Sequence, residues 1–209
     1  MIFSGSSAMK KDYSQPKEYH FSEISIAFVK NVRTYLDSIN FKANFICDAY
    51  AGCGVVGLEY LAQSREQAKI DFIELQQDVF SLHLERNIQW KQANAEVFFI
   101  SIAKFTKQVQ RRYDLILANP PYYDPKRVRT SPNKVKALAH SFFEGSIQDL
   151  FLLVHHCLHK NGYCFFLFPK DHFEDQYRSQ LLNLGLSLME VKELSPGISL
   201  FLLSHLNKN

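Results

Sequence analysis

From Phe45 onward, short apolar runs alternate with longer segments whose apolar residues recur at helical spacing. That is the pattern of strands alternating with amphipathic helices. The runs are Phe45–Ala49, Ile70–Glu74, Glu96–Ile100, Tyr113–Ala118 and Tyr163–Phe168. Between them the chain predicts helices over Val56–Gln63, from beyond Glu74 to Trp90 with Val79, Leu82, His83 and Arg86 at helical spacing, and briefly after Ile100. Two more are predicted, over Ile147–His159, with Asn161-Gly162 read as its cap, and over Phe173–Leu184, closed by Gly185. The last runs, Leu188–Leu194 and Ser199–Leu206, are joined by Ser195-Pro196-Gly197-Ile198. So short a link suits an antiparallel hairpin, because a parallel crossover needs about a dozen residues or more. Five strand–helix alternations and a terminal hairpin predict a parallel, doubly wound α/β sheet with one reversed strand near an edge.

Composition adds bounds rather than detail. A chain of 209 residues, 46% apolar and 22% charged, has room for one full domain with a substantial core. Its net charge of +3, from 24 basic and 21 acidic residues, permits an anionic partner without demanding one. The four cysteines (Cys47, Cys53, Cys157, Cys164) lack Cys-x-x-Cys spacing, which predicts free buried thiols in a reducing compartment, with neither disulfides nor a zinc site. Met1–His20 is polar and unlike a signal peptide, and no run approaches the roughly 18 apolar residues of a membrane span. The expectation is a cytoplasmic protein. The polar stretch from Lys10 to His20 reads either as an arm over a substrate or as a fraying terminus.

Chemistry concentrates where strands end. Asp48-Ala49-Tyr50-Ala51-Gly52-Cys53-Gly54 links the first strand to the first following helix. Glycines in such a turn accept positive φ and let backbone approach a ligand, and the helix start behind them offers free N–H groups. Glu74 closes the second strand, 20 residues after Gly54, where a carboxylate accepts the hydroxyls of a ribose. Gly57 supplies a third glycine, so a nicotinamide cofactor stays open on the glycines alone. The pattern Asp-x-x-x-Gly-x-Gly, with the element order from Phe45 to the C-terminal hairpin, resembles class I methyltransferases. The resemblance implies a Rossmann-like, mostly parallel, doubly wound seven-stranded sheet with a C-terminal antiparallel hairpin over residues 41–209, preceded by a polar arm and leading helix over residues 1–40. It also implies S-adenosylmethionine as cofactor, held by Asp48, Ala49, Tyr50, Gly52, Gly54, Glu74, Leu75, Ser101, Ile102 and Asn119. Three positions depart from the family pattern. Tyr50 stands where glycine is usual and reads either as a reshaped cofactor floor or as packed core. Ser101 stands near the usual Asp that meets the cofactor's adenine. In His20-Phe21-Ser22-Glu23-Ile24-Ser25, which resembles the segment that caps the cofactor, Ile24 replaces an acid.

The most specific feature is Asn119-Pro120-Pro121-Tyr122 at the end of the fourth strand. Prolines end strand pairing, so the motif lies at the carboxyl edge of the sheet, where open α/β folds bind ligands. An amine conjugated to a ring or carbonyl is a poor nucleophile, because its lone pair is delocalised. Acceptors on both of its N–H groups hold the nitrogen and favour the pyramidal geometry of methyl attack. The side-chain oxygen of Asn119 and the carbonyl of Pro120 suit that task, Pro121 stiffens the turn, and Tyr122 offers a stacking face worth about 1–3 kcal/mol for a base. Positive charge develops on the amine only as the methyl moves, so these acceptors act chiefly on the transition state.

Asn-Pro-Pro-Tyr resembles the motifs of N6-adenine, guanine-N2 and protein-glutamine methyltransferases alike. With Tyr123 it is similar to the bacterial family that methylates N6 of the adenine 3′ of the anticodon in a valine tRNA, which implies tRNA as partner. In that family a basic residue and a histidine precede the next helix, and Ala137-Leu138-Ala139-His140-Ser141 stands there without the arginine. Lys126, Arg127, Arg129, Lys134 and Lys136 crowd eleven residues beside the motif, either to contact phosphates or as a solvated loop. The expected reaction is methylation of adenine N6 in RNA. A protein glutamine amide, DNA adenine, rRNA guanine-N2 and a non-catalytic binding module are the alternatives. His155, His156 and His159 are read as residues favoured near a helix C-terminus, and no metal is expected.

Overall fold

The computed structural model describes residues 12–17, 21–64, 67–120, 146–173 and 175–206. Helix α1 (Glu23–Ser38) leads into β1 (Phe45–Ala49), α2 (Val55–Gln63), β2 (Lys69–Glu74), α3 (Gln77–Lys91), β3 (Ala95–Phe99), α4 (Ile102–Gln108) and β4 (Tyr113–Ala118). Helix α5 (Ser146–Cys157), β5 (Leu158–Pro169), a 3-10 turn, α6 (Asp175–Asn183), β6 (Leu186–Ser195) and β7 (Ile198–His205) complete the chain. The seven strands form one sheet in the order β3-β2-β1-β4-β5-β7-β6. Strands β1 to β5 pair in parallel, and β7 runs antiparallel to both β5 and β6.

The apolar runs become central strands because both sheet faces are covered. Alternation then divides the side chains between two layers. Ile46, Phe72, Leu117, Phe165 and Leu202 face the layer that holds Phe28, Val32 and Leu36 of α1 and Phe80 and Leu84 of α3. Cys47, Ile73, Ile116, Phe166 and Phe201 face the other, with Phe105 of α4 and Phe151 and Val154 of α5. Toward the amino edge, the fully buried Asp71 accepts from Arg111 Nη1 at 2.5 Å and from the Tyr113 hydroxyl at 2.8 Å. Arg111 also donates to both oxygens of Glu96 at 3.0 Å, so one guanidinium ties β2, β3 and the start of β4 together.

Two local expectations differ from the structure. Helix α5 stops at Cys157, and β5 begins at Leu158, with a register shift before Leu115 meets Tyr163. Gly162 therefore caps no helix. A Cβ there would lie 2.8 Å from the Asp114 carbonyl, so glycine serves a close backbone approach between β4 and β5. His155 and His159 consequently do not form an i, i+4 pair on one helix; His155 Nδ1 instead lies 2.8 Å from the Leu184 carbonyl and ties α5 to the end of α6. On α3 the buried residues are Phe80, Leu84 and Asn87, while Leu82 is 63% exposed. The four cysteines are free and buried. Among the described residues no helix is long and apolar enough to cross a membrane, and no group of three or more potential metal ligands occurs.

Candidate active site

The strand order runs outward from β1 through β2 to β3, then returns to place β4 on the other side of β1. The connections leave β1 and β4 in opposite directions, which opens a crevice above their carboxyl ends. Ala49 pairs with Ala118, so Tyr50 and Asn119 step off neighbouring strands at the same level.

On the β1 side, Tyr50, Gly52 and Gly54 all adopt positive φ, at 62°, 55° and 79°. Gly54 is needed for two reasons. Its backbone is left-handed at the N-cap of α2, and a Cβ would lie 2.5 Å from Leu84 Cδ1. A turn built from left-handed residues has no ladder of its own, so other elements must tie it down. Ala51 N donates to the Ile73 carbonyl at 3.0 Å and Gly54 N to the Ala51 carbonyl at 2.8 Å. Gly52 N donates to Glu74 Oε2 at 2.7 Å, while Gln76 N donates to Glu74 Oε1 at 2.8 Å. Gly57 N donates to Asp48 Oδ2 at 2.8 Å, and Asn87 Nδ2 donates to the Cys53 carbonyl at 2.9 Å. The Tyr50 ring is half-buried and packs against the α4/α5 core layer. A non-glycine residue in this conformation costs roughly 1–2 kcal/mol, which the packing of the ring helps to offset.

Both carboxyls of the site are buried. Asp48 is 1% and Glu74 6% exposed. Burial pushes the Asp48 carboxyl up to about 8, against the opposing hydrogen bond from Gly57 and with the help of nearby Glu74. Burial also raises Glu74, opposed by its backbone donors. Beyond Glu74, Leu75 is 64% exposed, and the buried Gln76 Oε1 has no hydrogen-bond partner among the described residues. Ser101 is the N-cap of α4, its Oγ accepting from Lys104 N at 3.3 Å, and the Ile102 side chain lies in the core. Beyond that bond the Ser101 hydroxyl keeps a second lone pair and its own O–H. Ile24 packs on the α1/α3 core layer while Glu23 is exposed.

On the β4 side, Pro120 is buried, and Asn119 Oδ1 is buried without a hydrogen-bond partner among the described residues. A buried, unpaired amide oxygen costs about 1–3 kcal/mol, which makes Asn119 a candidate for a role beyond stability. Pro121, Tyr122, Tyr123, Lys126, Arg127, Arg129, Lys134, Lys136 and the 137–141 segment lie outside the described residues.

Residues 28–143 match the family described as conserved hypothetical protein 95. The chain belongs to this family. Part of it is 30% identical over 116 residues to the tRNA1(Val) (adenine(37)-N6)-methyltransferase of Proteus mirabilis, covering 52% of this chain and 46% of that one. A protein of the same name from Dyadobacter fermentans is 28% identical over 131 residues, covering 62% and 52%. The matched region spans about half the length of these curated relatives. Among solved structures, the T. thermophilus 16S rRNA N2 methyltransferase in complex with AdoMet and guanosine superposes with a TM-score of 0.63 at 15% identity, over 90% of this chain and 44% of that one. The ribosomal protein L11 methylase of Lactobacillus delbrueckii subsp. bulgaricus gives a TM-score of 0.63 at 11% identity, over 90% and 82%. The family's fold in this chain is therefore that of class I methyltransferases, with the expected C-terminal hairpin.

Sequence reasoning passed over Asn87 and Gln76. The signal for Asn87 was present, since it shares the Phe80 and Leu84 spacing and is a polar residue on an apolar face. Gln76 carries no comparable mark.

The buried Asp48 makes a pH prediction. Its raised value means that the folded chain keeps a proton which the unfolded chain releases above about pH 4. This contribution to stability is complete below the unfolded value and is lost as pH rises through about 8. Asp48→Asn keeps an oxygen for Gly57 N–H and removes the titration. Thermal unfolding should then fall less steeply between about pH 5 and 8, with a gain of at least about 1 kcal/mol at the upper end. Superimposable profiles for the two proteins would mean that Asp48 ionises as an ordinary carboxyl.

Proposed function

We propose that this chain is an S-adenosylmethionine-dependent N-methyltransferase that acts on the N6 amine of adenine in RNA, with tRNA as the first candidate substrate. The observation that carries the reading is the buried Asn119 Oδ1, without a hydrogen-bond partner among the described residues, beside buried Pro120 at the carboxyl end of β4. An oxygen held out of solvent without a partner is suited to accept an N–H from a bound amine. The Pro120 carbonyl takes the second N–H, and the two acceptors aim the nitrogen lone pair at the methyl donor. Tyr122 supplies the stacking face, and Tyr123, Lys126, Arg127 and Arg129 the RNA contacts. The names of the curated relatives support adenine N6 in tRNA over guanine, DNA or protein amides.

The residues on the β1 side fit the cofactor. Bound S-adenosylmethionine supplies an electrophilic methyl group on a positively charged sulfur. Glu74 retains lone pairs beyond those facing Gly52 and Gln76 and can accept ribose hydroxyls. Exposed Leu75 offers an apolar face for the adenine, and the unpartnered Gln76 Oε1 lies next to it in the chain. Asp48, Ala49, Tyr50, Gly52 and Gly54 form the turn that holds the methionine end, and Asp48 and Glu74 favour its positive charge once ionised. The Ser101 hydroxyl keeps a lone pair and a donor for the adenine beyond its bond from Lys104 N, and Ile102, its side chain buried, contributes through backbone.

The test is transfer of a labelled methyl group from S-adenosylmethionine by the purified chain to total tRNA, DNA and protein from a strain lacking the gene. Label in tRNA, recovered as N6-methyladenosine after digestion, is expected. Label only in protein would replace the RNA reading with amide methylation, and the absence of both binding and transfer would remove the methyltransferase reading altogether.

A further inference from the structure

The segment 12–17 packs behind the glycine-rich turn, which is more than a fraying terminus does. Tyr13 and Pro16 are buried, and Tyr13 belongs to the core layer of α1 and α3. Its hydroxyl donates to Glu59 Oε1 of α2 at 2.5 Å. Lys91 of α3 closes over the Tyr13 ring at 4.6 Å and lies 3.8 Å from the same carboxylate. Ser14 Oγ lies 2.7 Å from His83 Nδ1 on α3, and Gln15 Oε1 accepts from Phe21 N at 3.1 Å. The segment therefore bridges the two helices that flank the turn.

Its link to the turn runs through one side chain. Asn87 is 1% exposed, on a helix face otherwise made of Phe80 and Leu84. A buried amide on an apolar face is costly unless every group is matched. Here Oδ1 accepts from Ser14 N at 2.7 Å, and Nδ2 donates to the Ser14 carbonyl at 3.0 Å and to the Cys53 carbonyl at 2.9 Å. Cys53 sits between the two left-handed glycines. The same amide thus grips the N-terminal segment and the turn.

We infer that residues 12–17 form a clip that holds the glycine-rich turn in its cofactor-binding shape, with Asn87 as the positioning residue that transmits the clip to Cys53. The inference rests on the S-adenosylmethionine reading above for its ligand. Neither Asn87 nor Tyr13 touches the reacting atoms, so the clip acts on cofactor affinity and on the KM for cofactor, and kcat at saturating cofactor is retained.

The experiment is a double-mutant cycle in the full chain, with Tyr13→Phe, Asn87→Ala and both together. Two quantities are read, S-adenosylmethionine affinity by calorimetry and amide hydrogen exchange at Gly52 and Gly54 without ligand. Asn87→Ala should weaken binding about tenfold and Tyr13→Phe about threefold, as expected for hydrogen bonds of ordinary net worth. Exchange at the turn should rise in both. The double variant should bind no more weakly than Asn87→Ala alone, because the route from the segment to the turn is already cut. Unchanged affinity in Tyr13→Phe, or losses that simply add, would overturn the clip. If the wild-type chain itself does not bind S-adenosylmethionine, the cofactor reading fails separately. Exchange then decides: faster exchange at Gly52 and Gly54 in Tyr13→Phe upholds the clip, and unchanged exchange overturns it.

Discussion

Asn119→Ala should lower kcat for methyl transfer roughly 100- to 1,000-fold, the range for removal of one preorganised hydrogen-bonding group that acts on a transition state. Affinity for S-adenosylmethionine should stay within about threefold, because the side-chain oxygen is reserved for the acceptor amine. Stability separates this role from a structural one. Asn119 Oδ1 is buried without a partner among the described residues, so none of these draws stability from it. Truncation should leave the unfolding temperature unchanged or raise it, since an unsatisfied buried acceptor costs about 1–3 kcal/mol. Asn119→Asp keeps an acceptor and should recover part of the rate, increasingly so as pH rises and the buried carboxyl ionises. A variant with an intact rate, or one that loses rate only in proportion to stability, would remove Asn119 from the acceptor site.

The second large effect is expected at Glu74. Its two oxygens accept from Gly52 N at 2.7 Å and Gln76 N at 2.8 Å, so a single carboxylate spans the turn and the start of α3. Glutamine has nearly the same shape but only one acceptor oxygen, which leaves an amide NH2 against one of these backbone donors. The structure then loses a hydrogen bond to a charged group, and a buried N–H is left facing another donor. Together these are worth about 2–3 kcal/mol, or roughly 30- to 150-fold in S-adenosylmethionine affinity if the turn is held in shape only by the intact pair. The unfolding temperature should fall as well, in contrast to Asn119→Ala. Equal affinity and stability in Glu74→Gln would show that Glu74 neither shapes the turn nor meets the ribose. The opposite signs on stability make the pair informative, because a supporting role for Glu74 and an acceptor role for Asn119 predict different unfolding temperatures.

The central strands were legible because strands buried on both faces must be short and apolar, and β1, β2 and β4 match their predicted runs to within a residue at either end. The hairpin was legible because its link is too short for a crossover. Placing Asn119-Pro120 at the carboxyl edge followed from the prolines alone, and the Ala49–Ala118 register bears it out. The junction after Cys157 was not legible. Asn161-Gly162 has the residue types of a helix cap, but Gly162 answers to the Asp114 carbonyl on a neighbouring strand, a contact that no local pattern encodes. The bond from Lys104 N that makes Ser101 the N-cap of α4 likewise shows only in the fold.

The sequence by itself determined the α/β alternation, the glycine turn, the acid that closes β2 and the place of the Asn-Pro-Pro-Tyr tetrapeptide, because each depends on residue type at short spacing. Only the tertiary structure decided that the Tyr50 ring packs against the α4/α5 layer, that Glu74 clamps Gly52 and that the segment 12–17 reaches Cys53 through Asn87. The hydrogen bonds among them join residues 22, 34 and 73 positions apart, and withdrawal from water is what makes such bonds obligatory.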